Sequence, residues 1–237
     1  RYTDIELARN LGSKAIWLTQ SEVEMGKGFQ KAVDWDGVFK MLMRENRSVK
    51  YQRKTTETDI EIFLLLDGEG TMAGSSGIPF FDHMLQQLSR HSGISLELKV
   101  KGDLQVDVHH TIEDIGISLG KALLQIPVNL KGVGRYGFSV PMDDSLAYTT
   151  MDFGGRAWLN WKVEFSNPAI GQIPSSLFRH FWESFSNGAQ CNLTIECTGL
   201  DDHHKAESIF KSVARCLKQA MSMQGLNPVS VSTKDIQ

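Results

Sequence analysis

"DVHHTIEDIG" (Asp107–Gly116) and "DDHHKAESIF" (Asp201–Phe210) write one pattern twice. Each places adjacent histidines just ahead of a glutamate, in the order His-His-x-x-Glu, where an apolar helical periodicity begins. On a helix, residues three and four apart share a face, so His109 and His110 both neighbour Glu113, and His203 and His204 both neighbour Glu207. Consecutive residues diverge by about 100° around the axis. Adjacent imidazoles are therefore awkward for one metal ion and natural for two.

The flanks repeat as well. "ETDIEIFLLLDG" (Glu57–Gly68) alternates as a strand ending in an Asp-Gly turn signal. "IPFFDHMLQQLSRHSG" (Ile78–Gly93) spaces Phe81, Met84, Leu85 and Leu88 for a helix stopped by Gly93. "SLELKVKGDLQVDV" reads as strand, turn and strand, and the helix opening at His109 turns Ile112, Ile115, Leu119, Ala122 and Leu123 to one face. In the second half, "LAYTTMDFGGRAWLNWKVEF" (Leu146–Phe165) reads as two strands paired around a Gly-Gly turn. "SSLFRHFWESFSNGA" (Ser175–Ala189) reads as a helix ending at a glycine, and "QCNLTIECTG" as a strand. The last helix turns Ile209, Phe210, Val213 and Leu217 inward. Strand–helix–strand–helix thus occurs twice, over about residues 57–130 and 145–225. The expected fold is α+β, an internally duplicated βαβ-type unit with helices packed on antiparallel or mixed sheets.

Each half also carries one histidine on its first helix, His83 26 residues ahead of His109 and His180 23 ahead of His203. A single helical histidine is more often packed or solvated than a ligand; recurrence in matching positions points to ligation. Six imidazoles with Glu113 and Glu207 suffice for two sites of three histidines and one glutamate, with positions left for water or substrate. Such mixed ligation suits Mn²⁺, Fe²⁺ or Zn²⁺ better than Ca²⁺ or Mg²⁺. Cys191, Cys197 and Cys216 lack the spacing of a structural zinc site. The pattern also differs from HExxH, because no glutamate stands between the histidines to act as a peptidase base. His91, without a counterpart in the second half, reads as a charge at a helix C-terminus.

The totals set bounds on partners. The chain has 237 residues, is 41% hydrophobic and carries a net charge of -3. No Lys/Arg run suggests nucleic acid or an anionic membrane as partner. No apolar run approaches the roughly 20 residues that span a bilayer, and no signal-peptide pattern is visible. Three cysteines, an odd number, suit a reducing, cytoplasmic setting. Residues 1–48 differ in texture, with a helix and strand in "TDIELARNLGSKAIWL", a loose polar "SEVEMGKGFQ" and an amphipathic helix in "WDGVFKMLMREN". They read as an α/β fragment distinct from a domain at residues 49–237.

From about Tyr51 to Lys234 the chain resembles imidazoleglycerol-phosphate dehydratase, on "RKTTETDI", "GIPFFDHMLQQLSRH", "HHTIEDIGISLGKAL", "GRYG", "PMDDSL", "DFGGRAWL", "FRHFWESF", "DDHHKAE" and "STK". The resemblance implies dehydration of imidazole glycerol phosphate to imidazole acetol phosphate in histidine biosynthesis. It implies a 24-subunit homo-oligomer with two Mn²⁺ per active site, the sites lying between subunits. The implied ligands are His83, His109, His110, Glu113, His180, His203, His204 and Glu207. The departing C–H has no carbonyl beside it, so a metal-stabilised imidazolate and a diazafulvene-like intermediate are the expected route. Glu57 in "TTETD" is the implied general acid or base, beside Glu113 and Glu207 as catalytic carboxylates. Arg135, Arg156, Lys211, Ser232 and Lys234 are the implied phosphate contacts, suited by charge to phosphate oxygens. Gln87 is a further implied substrate contact. Val108 and Thr194 depart from the family pattern, and neither belongs to the ligand set.

The first stretch resembles the end of a haloacid-dehalogenase-type histidinol-phosphate phosphatase, Asp4 matching an acidic position there. Residues 1–48 are therefore expected to be its remnant plus a linker, in the C-terminal part of a bifunctional phosphatase–dehydratase. Without the nucleophilic aspartate, no phosphatase activity is expected. Two other readings use the same ligands: a dinuclear hydrolase that releases phosphate, and a non-catalytic metal-binding scaffold.

Overall fold

The computed structural model describes residues 2–21, 29–126, 134–137 and 141–222. The chain divides into two compact units, Arg1–Asn46 and Arg47–Gln237. The first holds α1 (Tyr2–Asn10), β1 (Ala15–Leu18), β2 (Phe29–Ala32) and α2 (Trp35–Asn46). Phe29 and Gln30, at the end of the stretch read as loose, belong to a strand that pairs β1 in parallel.

In the second unit, β3 (Ser48–Lys54) precedes two copies of one motif. The first copy is β4 (Thr58–Leu65), β5 (Met72–Ser75), α3 (Pro79–Ser92), β6 (Ser95–Gly102) and α4 (His109–Gln125). After the short β7 (Tyr136–Gly137) and β8 (Pro141–Met142) comes the second. It comprises β9 (Ser145–Asp152), β10 (Trp158–Val163), the small β11 (Ala169–Ile170) and β12 (Ile173–Pro174), α5 (Ser176–Ala189), β13 (Asn192–Thr198) and α6 (Asp202–Ala220). The first sheet has the order β3-β4-β6-β5 and the second β10-β13-β9-β7, with β8 also on β9. β6 lies between β4 and β5, and β13 between β9 and β10, in each case antiparallel to the first of the two and parallel to the second. The duplication seen in the histidine spacing is therefore present in the topology, in a mixed-sheet α+β fold.

Two pairings differ from the sequence expectation. β9 and β10 flank β13 and do not pair across the Gly-Gly turn. A parallel pair needs a crossover helix, and α5 supplies it between β10 and β13. The expected second strand of "SLELKVKGDLQVDV" is absent. Residues 103–108 form a turn, closed by Val106 N–H donating to the Asp103 carbonyl at 2.7 Å.

Alternation decides what each strand buries. Ile60, Ile62 and Leu64 of β4 and Ala147, Thr149 and Met151 of β9 are buried beneath helices. The helices of each copy lie on their own sheet, and the two helical layers meet, α4 on α5 and α3 on α6. Phe81, Phe181, Trp182 and Phe210 fill the contact, with Phe181 and Phe210 stacked at 5.5 Å and Phe81 edge-on to Phe181 at 5.1 Å. The α4–α5 crossing depends on missing side chains. A Cβ on Gly116 would lie 2.8 Å from the Phe181 carbonyl, and one on Gly188 would lie 2.6 Å from that of Ile117. This explains another departure from expectation. α5 runs through Gly188, where the packing needs a glycine, and ends with Gln190 in the left-handed region at φ 52°.

Candidate metal centres

Helix pairing across the two copies assembles the histidines. α3 meets α6, so His83 faces Glu207 with Nε2 2.6 Å from Oε1, and His203 Nε2 lies 3.7 Å from the same oxygen. α4 meets α5, so His180 Nε2 lies 3.4 Å from Glu113 Oε2, and His109 Nε2 lies 3.8 Å from it. In each group, two imidazole nitrogens and one carboxylate oxygen lie within 4.8 Å of one another. Each cluster thus takes one histidine from one copy and a His-x-x-x-Glu pair from the other. Phe80 walls the α3–α6 cluster, its ring 5.1 Å from that of His203.

The Glu207 carboxylate is set for a cation. Burial raises the affinity of Glu207 for a proton, but Lys211 at 2.7 Å and His83 outweigh it and hold the carboxyl below its ordinary value. His180 Nε2 is buried and has no hydrogen-bond partner among the described residues. A buried imidazole nitrogen left without a partner, aimed near a carboxylate, fits a divalent cation.

Both helices are opened by the same device. Asp107 accepts from the His109 N–H at 2.7 Å, and Asp201 accepts from those of His203 and His204 at 2.7 and 3.1 Å. The full repeat is therefore Asp-x-His-His-x-x-Glu, the aspartate satisfying backbone donors that a helix start leaves open.

His110 and His204 lie in neither cluster. His110 donates Nδ1–H to Asp103 Oδ2 at 2.9 Å, and His204 donates Nδ1–H to Asp144 Oδ1. The aspartates raise the proton affinity of both imidazoles. His204 and the N–H groups of Leu200 and Asp201 hold the Asp144 carboxyl far below the usual range. Sequence reasoning missed both aspartates. Asp103 lies in a presumed turn, and Asp144 acts 60 residues away from its histidine.

The other expected residues occupy varied settings. Glu57 is exposed just before β4, its carboxyl kept acidic by the Thr56 hydroxyl and its own N–H, and it acts on the charge of His110. Its loop is fastened to α4, where Asp114 accepts from Thr58 Oγ at 2.5 Å and Arg53 Nε at 2.7 Å. Gln87 follows His83 by one turn of α3 and is half-buried. Arg135 forks onto Asp152, with contacts of 2.6 and 3.2 Å, and Lys211 binds Glu207. Arg156 is exposed beyond β9, and Ser232 and Lys234 lie outside the described residues. His91 is disfavoured as a charge, because burial, Lys211 and Arg215 push its proton affinity down.

The family model "Imidazoleglycerol-phosphate dehydratase" matches residues 76–217. The histidine biosynthesis bifunctional protein HisB of Bacteroides fragilis is 47% identical over 227 residues, covering 93% of this chain and 61% of that protein. The chain thus spans about three-fifths of the length of this curated relative. The crystal structure of imidazoleglycerol-phosphate dehydratase from Staphylococcus aureus is 31% identical, with a TM-score of 0.65 over 74% of this chain and 100% of that one. A Pyrococcus furiosus structure, in complex with (S)-C348, is 28% identical, with a TM-score of 0.64 over 77% of this chain and 97% of that one. With the model matching more than half its length and the doubled clusters in place, the chain belongs to the imidazoleglycerol-phosphate dehydratase family.

Proposed function

We propose that this chain dehydrates imidazole glycerol phosphate to imidazole acetol phosphate in histidine biosynthesis, with two Mn²⁺ per active site. The observation that carries the reading is the pair of cross-repeat His-His-Glu clusters in a chain of this family. His83, His203 and Glu207 would hold one ion and His109, Glu113 and His180 the other. A divalent ion bound there would supply a Lewis acid to the substrate's ring, which must accept electron density because no carbonyl activates the departing C–H. His110 and His204, outside both clusters, are assigned to the sites of neighbouring subunits in a 24-subunit assembly.

Glu57 is assigned as the general acid or base. Its ionised carboxylate, exposed beside His110, supports that role. Arg135, Arg156, Lys211, Ser232 and Lys234 are assigned to the substrate phosphate and Gln87 to the substrate. Arg135 carries five N–H donors and gives two contacts to Asp152, which leaves capacity for an anion. Residues 1–48 are assigned to the end of a phosphatase-type domain plus a linker; the parallel β1–β2 pair beside α1 and α2 supports an α/β origin. The free, buried thiols Cys191, Cys197 and Cys216 suit the cytoplasm.

The test is turnover of imidazole glycerol phosphate by metal-stripped protein before and after adding Mn²⁺. Ketone formation restored by the metal, with no phosphate released, is expected. Phosphate release without ketone would overturn the reading in favour of a hydrolase.

A further inference from the structure

We propose that Asp103 and Asp144 are positioning residues that hold His110 and His204 by Nδ1 and so reserve Nε2 of each ring for a metal ion. The inference rests on the reading of those histidines as ligands. The four clustered histidines, His83, His109, His180 and His203, all face their glutamate through Nε2. His110 and His204 instead give Nδ1 to an aspartate. A ring that donates Nδ1–H to a carboxylate is fixed in the tautomer whose Nε2 carries the lone pair. Both side chains stay open to a ligand, with 43% and 39% of their surface exposed.

The two aspartates occupy different places in the repeat. Asp103 directly follows β6, whereas Asp144 directly precedes β9. The first-copy residue matching Asp144, one position before β4, is Glu57. Duplication alone therefore does not account for the same contact arising in both halves. With Asp103 holding His110, Glu57 is left exposed at the equivalent position. The cost of the arrangement is visible too: Asp103 Oδ1 is buried with no partner among the described residues, a penalty that packing alone would not retain. Asp144 is anchored through Oδ2 by the N–H groups of Leu200 and Asp201, at 2.8 and 3.1 Å, so it ties His204 to the loop that opens α6.

The test titrates Mn²⁺ into the metal-stripped full chain, with the free ion read by electron paramagnetic resonance, for D103A, D103N, D144A, H110A and H204A. D103A and D144A are expected to weaken one class of bound ion about 10–100-fold. D103N, whose amide oxygen still accepts from Nδ1–H, is expected to recover much of that loss. Nitrogen NMR of the imidazole at alkaline pH is expected to show His110 passing from the Nδ1–H to the Nε2–H tautomer in D103A, a change that a purely structural role would not produce. Wild-type Mn²⁺ affinity and tautomer in D103A and D144A, while H110A and H204A lose the ion, would overturn the proposal and leave the ligand reading intact. Unaltered Mn²⁺ binding in H110A and H204A would remove the ligand reading, and the proposal with it.

Discussion

His83 and Glu207 stand 124 residues apart in the sequence and 2.6 Å apart in the folded chain. The contact exists because α3 of the first copy packs on α6 of the second, while α4 packs on α5. Neither copy completes a cluster from its own histidines, so each candidate metal centre requires both halves and the core between them. The packing of this interface can be tested apart from its chemistry.

Gly116 is the most direct packing test. Gly116→Val would drive a Cβ to 2.8 Å from the Phe181 carbonyl and bring further methyls against Ser184 and the Phe181 ring. Forcing α4 from α5 is expected to cost about 1–3 kcal/mol or more, as overpacking of a close-fitting core does. Chemical denaturation should show a lower midpoint; an unchanged one would mean that the crossing is not closely packed.

Asp202 should give the fold an acid-sensitive component. Burial opposes its charge, but Lys205 and the N–H groups of Ser166 and Asn167 prevail and hold its carboxyl at about 2, against an ordinary 3.8. A depressed folded value stabilises the charged, folded form, so the contribution is fully present above the unfolded value. It is lost as pH falls from 3.8 through about 2. The gap corresponds to roughly 2 kcal/mol. Asp202→Asn is expected to unfold more easily at neutral pH and to show a flatter loss of stability across that acid window. Parallel pH curves for the two proteins would contradict this.

Arg53 and Asp114 should behave as a coupled pair. Arg53→Met leaves the Asp114 carboxylate, only 10% exposed, with hydroxyl donors alone. Removing one partner of a largely buried pair is expected to cost about 3 kcal/mol. Adding Asp114→Asn should recover much of it, and a double-mutant cycle from urea midpoints measures the coupling. Strict additivity would show that the bond contributes nothing to anchoring the loop that carries Glu57.

Much of this was legible in the sequence because it is periodic. The inward residues of α3, α4 and α6 and the doubled His-His-x-x-Glu pattern follow spacings of three and four. Sheet order was not, since nothing local to β9 and β10 says that β13 inserts between them. The cross-repeat pairing was equally hidden. Gly116 and Gly120 on α4, against Phe210 and Ala214 at the matching positions of α6, are its sequence trace, and their meaning depends on which helix lies opposite. Asp103 and Asp144 escaped notice because a hydrogen bond to a side chain has no period.

Metal content of paired variants tests the cross-repeat centres most directly. His83→Ala combined with Glu207→Gln strikes one cluster twice, so the full chain loaded with Mn²⁺ and desalted should keep about half its metal by elemental analysis. His83→Ala combined with Glu113→Gln strikes both clusters and should leave almost none. If the second pair kept half the metal and the first lost nearly all of it, each centre would be built within a single copy, contradicting the arrangement described above.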